Sequence, residues 1–536
     1  MCDSHHIKPR FLNTDLHDQE HKKWNRRSFL QALGLVGGGT MMLNGMTLSA
    51  SRPSPLAAAI SDSPTDRIIV LIRLKGGNDG LNTIVPVYDF DTYSNLRPTI
   101  RHQMSNLYNL TPDFAIPNFM SDLQSMWGEG AMKVVHGVGY DNSSLSHFAG
   151  SDIWASTDIE NNEQTGWFGR YFEGLYPDYI VNPPEIPAAV QIGSIGNLIF
   201  DGNSNNYAFS VANPNQLEAI AENGTIHDML NLPDCTYGEQ LQFMRGTTNT
   251  TYTYAGTIHE AFSNSENSVE YSEDNLARQL AIVARMIKGN LGTKVYMVTL
   301  GGFDTHANQF EAHQQLLTDL SNSVKLFFDD LEVSGHAQNV MAMTISEFGR
   351  RPDENGSNGT DHGAAAPLFL FGPCLEGNGF VGEHPSLTDL DNFSNLQHST
   401  DFREVYATIL QEWLCIDPTI VSQTLLGQNL NTIDLGFNCE TIIDPGDPPV
   451  ENFSHFVLYN SNSTVIRINN PSTQHTVVKL YDILGREIST LKNEMLLAGE
   501  HSILVRNGSN RGLSNGQYIY RISAGNKNYS KSLILR

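Results

Sequence analysis

The chain has 536 residues, more than one ordinary domain accommodates, and 40% of them are apolar, enough for sizeable cores. A formal charge of −25 at pH 7 excludes the basic surface that nucleic-acid phosphates require. Acidity of this degree fits either plain solubility or carboxylates gathered round a metal. Of the five cysteines (Cys2, Cys235, Cys374, Cys415 and Cys439), none forms a Cys-x-x-Cys pair, which argues against a thiolate zinc site. They allow one or two disulfides in an oxidising compartment, with Cys415 and Cys439 the nearest pair, or else buried free thiols.

In chain order, a basic cluster comes first: Lys22, Lys23, Arg26 and Arg27. The weakly apolar run 32–48 behind it is broken by Gly34, Gly37, Gly38 and Gly39, too short and too glycine-rich to span a bilayer. Ala57-Ala58-Ala59 then supplies small residues for cleavage. Arg26-Arg27-Ser28-Phe29-Leu30 resembles a twin-arginine export signal, which implies the twin-arginine translocase as a partner and no integral membrane segment in the mature chain. The alternative is a basic patch ahead of a buried helix.

From residue 62 the texture is that of an α/β domain. Apolar runs at 68–72, 132–135, 294–300, 340–345 and 367–371 read as buried strands. Four of them lead into polar or glycine-rich clusters, and Gly359-Thr360-Asp361-His362-Gly363 precedes the fifth. Between them 276–287, 310–331 and 402–414 carry apolar residues at helical spacing. Strands alternating with helices imply a mostly parallel sheet flanked by helices, with ligands at the carboxyl ends of the strands.

Asp444-Pro445-Gly446-Asp447-Pro448-Pro449 has linker composition, and behind it short alternating strands are expected at 464–468, 476–481, 501–505, 517–522 and 531–535. That pattern predicts a small all-β sandwich. The division is therefore 1–61 for the signal and its tail, 62–443 for the α/β domain, 444–451 for the linker and 452–536 for the sandwich. The stretches 478–487 and 513–522 resemble the type A sorting domain of the type IX secretion system. The resemblance implies the type IX machinery as a partner and a cell-surface or extracellular destination. An immunoglobulin-like adhesion or glycan-binding module is the alternative, although no aromatic platform marks it.

Asp79, Asp304, His306, Asp361 and His362 form a set of oxygen and imidazole donors beside expected strand ends. Such a set suits Zn²⁺, Mn²⁺, Mg²⁺ or Ca²⁺. Taken singly, Asp304-Thr305-His306 reads equally as a loop cap with a surface histidine. Glu347 and Arg350 either orient ligands and bind an anion or form an i, i+3 ion pair.

Gly76-Gly77-Asn78-Asp79-Gly80-Leu81-Asn82, Ser146-His147-Phe148, Thr165-Gly166-Trp167-Phe168-Gly169-Arg170, Gly302-Phe303-Asp304-Thr305-His306, Ser346-Glu347-Phe348-Gly349-Arg350 and Gly359-Thr360-Asp361-His362-Gly363 together resemble the domain-of-unknown-function 1501 family over residues 66–436. That family is grouped by fold with alkaline phosphatases and sulfatases. The resemblance implies two metal ions, one held by Asp79, Asp361 and His362, the other by Asp304 and His306. They would clamp a phosphate or sulfate ester, on a polysaccharide or other polymer, for attack by a hydroxyl. Ser146, which follows a strand and immediately precedes His147, is the candidate nucleophile, or else a buried hydroxyl or a helix cap. Asn78, His147, Glu347 and Arg350 are candidates for contact with the anion or for support of the ligands. Two departures stand out: the Asp304–His306 spacing is tight, and His398 is the one candidate for a third histidine ligand. No Cys- or Ser-x-Pro-x-Arg site occurs, which argues against a standard sulfatase. A metal-stabilised surface scaffold without catalysis is the second reading.

Overall fold

The computed structural model describes residues 66–437, save 177–178, 194–196, 204, 230–231, 233–235 and 376, together with the strands between 454 and 535. The twin-arginine segment, the linker, Cys235 and Cys439 lie outside the described residues. The described residues fall into two compact units, 66–437 and 454–535.

The first unit is built on a nine-stranded sheet. Numbered in chain order, its strands are β1 Ile68–Lys75, β2 Met132–Gly139, β3 Ala189–Ile192, β4 Ala208–Val211, β5 Val295–Gly301, β6 Val340–Ser346, β7 Ala366–Phe371, β8 Gly379–Val381 and β9 Thr400–Asp401. Their order is β8-β2-β7-β6-β1-β5-β3-β4, and β9 pairs with β2 beside this path. β1, with six consecutive buried residues, reads as an unbroken apolar run because both of its faces are covered.

All pairings are parallel except those of β7, which runs antiparallel to β2 and β6. No crossover helix separates β6 from β7. The chain between them folds instead into a ribbon of Gly349–Arg350 against His362–Gly363 and returns directly, which permits an antiparallel neighbour. The expected sheet is therefore present as a mostly parallel one, with this strand reversed.

Helices flank the sheet. Those used below are α1 His147–Ser156, α2 Thr236–Ser263, α3 Asn275–Lys288, α4 Gln309–Val333 and α5 Phe402–Thr408. α3 shows why such segments are legible. Asp274 caps it by accepting from the Ala277 N–H at 2.8 Å, Leu276, Leu280, Val283, Ala284 and Ile287 are buried, and Arg285 and Lys288 end it. α2 is 28 residues long although its threonine-rich sequence has poor helix propensity. Thr251 and Thr257 there turn their hydroxyls back on the carbonyls of Thr247 and Thr253, while Tyr254, Ala255, Ile258 and Ala261 are buried. The expected helix 402–414 begins as α5 and continues as a π-helical turn, Ile409–Trp413.

The second unit has two antiparallel sheets. One holds Ser454–Asn460, Ser463–Asn470 and Gly499–Val505. The other holds Gln474–Asp482, Glu487–Leu496, Gly516–Ala524 and Lys527–Leu535. Alternate residues of both, among them Ile466, Ile468, Ile503, Val478, Leu480, Tyr520 and Ile522, close one apolar core, so the module is a sandwich. The period-two pattern marked five of its seven strands. Among the described residues no helix is long and apolar enough to cross a membrane.

Three buried histidines in the first unit make a prediction. Burial pushes His102 and His313 down to about 4, and His136, stacked on Phe380, down to about 3. Each ring stays neutral when folded, yet takes a proton below about pH 6.5 when unfolded. Stability is therefore full above pH 6.5 and falls as the pH drops toward 4, by about 1.4 kcal/mol per pH unit for each ring. Urea unfolding at stepped pH should show this slope, and His136→Phe, which keeps the ring stack, should remove about one ring's share.

Candidate metal centre

β6, β1 and β5 lie side by side and parallel, with Leu74 opposite Ser346 and Lys75 opposite Gly301. Their carboxyl ends consequently release three loops on one edge of the sheet. Arg350 ties these loops together. Its guanidinium is buried and donates to the carbonyls of Gly77 at 2.9 Å, Thr360 at 2.8 Å, Phe303 at 2.9 Å and Gly76, and to Asp304 Oδ1 at 2.9 Å. The loops also touch backbone to backbone. A Cβ on Gly76, whose φ is +119°, would lie 2.4 Å from the Asp304 nitrogen.

On this base four side chains converge. Asp304 follows β5, His306 lies two residues on, His362 comes from the ribbon and His147 opens α1. Asp304 Oδ1 is 3.1 Å from His306 Nε2 and 3.2 Å from His362 Nε2, and its Oδ2 is 3.3 Å from His147 Nε2. The His306 and His362 Nε2 atoms are 2.9 Å apart, and donor atoms of His147, Asp304 and His362 all lie within 4.8 Å of one another. The three rings are fixed from behind. His147 Nδ1 meets Glu347 Oε2 at 2.6 Å, His306 Nδ1 meets Asp361 Oδ1 at 3.2 Å, and His362 Nδ1 meets the Leu145 carbonyl at 2.7 Å. An acceptor on each Nδ1 places the proton there and turns the Nε2 lone pair inward, the arrangement of metal-binding imidazoles.

The electrostatics agree. Burial works to raise the Asp304 carboxyl, but bonds to Arg350 and His362 outweigh it and hold it at about 2. Burial lowers the His362 ring, assisted by Arg350 and His147, so it is neutral at pH 7. Asp361 is held below the usual carboxylate range by its bond from Asn355 and by His306. Nitrogen donors about 2.0–2.1 Å from one zinc ion stand roughly 3.3 Å apart, so the donor set and its spacing fit a divalent ion.

The remaining expected site residues lie elsewhere or do other work. Asp79 is buried outside this cluster, where Arg97 Nη1 donates to its Oδ2 at 2.6 Å and Gln309 Nε2 donates to the same oxygen. Asn78 is buried too, with its Oδ1 3.0 Å from His313 Nε2 and 3.2 Å from Thr83 Oγ1. His398 stands 3.9 Å from Asp141 and outside the cluster, whose third imidazole is His147. Ser146 is the N-cap residue of α1, but its exposed side chain makes no capping bond. Glu347 supports the His147 ring and pairs with Arg73 at 3.2 Å, and it is Asp304 rather than Glu347 that Arg350 meets. Arg73 and Gln309 carry no sequence signal, because each acts on a partner more than 200 residues away.

A protein-family model described as "Protein of unknown function (DUF1501)" matches residues 134–438. The chain belongs to this family. The match takes in Asp304, His306, His362 and His147 but begins after the Asp79 loop of the DUF1501 chain. No curated protein matches it. Among solved structures, a lipoteichoic acid synthase from Listeria monocytogenes is 8% identical with a TM-score of 0.32, covering 83% of this chain and 90% of that one. A sulfatase from Pseudoalteromonas sp. is 9% identical (TM-score 0.30, 82% and 84% covered). A protein of the alkaline phosphatase superfamily from Vibrio parahaemolyticus is also 9% identical (TM-score 0.30, 96% and 91% covered).

Removing the tie should cost stability. Arg350→Met takes the side-chain donor from the carbonyls of Gly76, Gly77 and Thr360, leaves Phe303 only its Thr305 donor, and is expected to destabilise the domain by roughly 3–5 kcal/mol in denaturant unfolding. Gly76→Ala, which meets the Asp304 backbone, should cost about 1–3 kcal/mol from the positive φ before any clash is relieved.

Proposed function

We propose that the chain is an exported, cell-surface hydrolase of phosphate or sulfate esters that works through a divalent metal ion held at Asp304, His147, His306 and His362. The observation that carries this reading is the convergence of three imidazole Nε2 atoms on one carboxylate, each ring backed by an acceptor at Nδ1. The ester class rests on the order of the sequence motifs, and a polymer is the substrate that suits a surface location.

In this mechanism the bound ion supplies Lewis-acid polarisation of an ester oxygen. The protein's own groups position and neutralise. Glu347 holds the His147 ring, Asp361 holds that of His306, and Arg350 fixes the Asp304 carboxylate from below. Ser146, exposed and adjacent in sequence to His147, is the nucleophile. Its Oγ gives up its proton and bonds to phosphorus or sulfur as the bond to the ester oxygen breaks, the proton leaving with the alcohol, and water then cleaves the seryl ester to free phosphate or sulfate and restore the hydroxyl.

The route is the twin-arginine translocase across the inner membrane, then the type IX machinery reading the sandwich of 452–536. A disulfide at Cys415, whose partner lies outside the described residues, suits an oxidising destination. Lysine at both Arg26 and Arg27 should leave the chain in the cytoplasm, and removal of 452–536 should leave it in the periplasm, as cell fractionation would show.

For activity, the purified full chain would be assayed on 4-nitrophenyl phosphate and 4-nitrophenyl sulfate with Zn²⁺, Mn²⁺, Mg²⁺ and Ca²⁺ in turn. Asp304→Ala should lower kcat/KM by more than about 100-fold, and Glu347→Gln, which reaches the centre through His147, by roughly 10–100-fold. Metal bound without turnover of either ester would favour the non-catalytic scaffold.

A further inference from the structure

The sequence motifs imply two ions, yet the carboxylates they would share have separate fates. Asp79 is fully buried, and its partner Arg97 is equally buried. That guanidinium cannot swing aside, because it also donates to the carbonyls of Pro352 at 2.8 Å and Arg351 at 2.9 Å and to Asn82 Oδ1 at 2.9 Å. A divalent ion at Asp79 would stand against this fixed positive charge in a medium that does not screen it. Asp79 Oδ1 is buried without a hydrogen-bond partner among the described residues, Gln309 donates to the other oxygen, and the His313 imidazole, whose charge would act on Asp79, is turned to Asn78. Among the described residues, no group of three His, Cys, Asp or Glu donors close enough to hold an ion includes Asp79.

The open centre differs in both charge and chemistry. Of its carboxylates, Asp304 pairs with Arg350, Glu347 with Arg73, and Asp361 with His306, with the Arg351 charge also acting on Asp361. Three imidazoles and the Asp304 carboxylate make up the four ligands of a single tetrahedral ion, and Asp361 and Glu347 are already engaged at Nδ1 of His306 and His147. Three nitrogens and one oxygen are also the wrong donors for Mg²⁺ or Ca²⁺, which take oxygen, and the right ones for zinc and its neighbours.

We infer that the centre is mononuclear: it takes one late first-row transition ion on His147, His306, His362 and Asp304, while the Arg97 guanidinium is the built-in cation of Asp79. This rests on the metal reading given above and deepens it. The test is stoichiometry on the full chain, stripped with chelator and titrated calorimetrically with Zn²⁺, Co²⁺, Mg²⁺ and Ca²⁺, with bound metal counted by mass spectrometry. One equivalent of Zn²⁺ or Co²⁺ is expected. Bound Co²⁺ should show the visible bands of a nitrogen-rich site, and Mg²⁺ or Ca²⁺ should bind at least 100-fold more weakly. His147→Ala and His362→Ala should each weaken Zn²⁺ binding more than 10-fold, whereas Asp79→Asn, if its circular dichroism is unchanged, should keep the full equivalent. Two equivalents in the unaltered chain, a preference for Mg²⁺ or Ca²⁺, or loss of the ion in a folded Asp79→Asn would overturn the mononuclear assignment and leave a metal-dependent hydrolase standing. Failure of every ion to bind would overturn both.

Discussion

The Arg350 guanidinium is the constraint on which the candidate centre depends. A buried charge must be matched by acceptors, and this one takes four backbone carbonyls from three separate loops before it reaches Asp304. Those carbonyls belong to chain segments that have left the sheet and have no ladder partners of their own. One planar, five-donor group therefore fixes the ends of β1 and β5 relative to the ribbon that carries His362. It also explains the glycines. Gly76 lies so close to the Asp304 backbone that a side chain there would force apart what Arg350 draws together.

Two carboxylates of the same sequence type show how burial divides their roles. Asp79 has no access to water, so its charge has to be met inside the protein, and Arg97 with Gln309 meets it. Asp304 is nearly half exposed, with 48% of its side chain accessible, and keeps one oxygen toward the open side beside His147. A charge that water can reach is free to exchange partners, whereas a buried ion pair is not. The first is open to a ligand, and the second is a buried structural pair.

Support for the centre comes from far along the chain. Glu347 holds a ring 200 residues away, and Asp361 holds one 55 residues away. The loops that carry them are placed by neighbouring strands, β6 beside β1 and β1 beside β5, so sheet order decides which side chains can meet. The reversal of β7 belongs to the same logic. By returning without a crossover helix, the chain keeps the ribbon of Gly349–Arg350 and His362–Gly363 at the sheet edge where Asp304 emerges.

The sequence by itself determined the elements and the neighbourhood of the chemistry. Apolar runs marked β1, β5, β6 and β7, helical spacing marked α3 and α4, and alternation marked the sandwich, because period and burial are local properties that each segment carries alone. Asp304, His306, Asp361 and His362 could be singled out for the same reason, as donors placed where strands end. Tertiary structure alone decided the rest. Asp79 and Asp304 look alike in sequence, and only the approach of Arg97 separates them. His147 rather than His398 completes the imidazole set, because α1 starts opposite the ribbon. α2 forms against its own propensity because its apolar face is buried. For Asp79 and His147 the deciding contact is made by another segment of the chain, and spacing along a sequence does not record which separate groups the fold brings within about 3 Å.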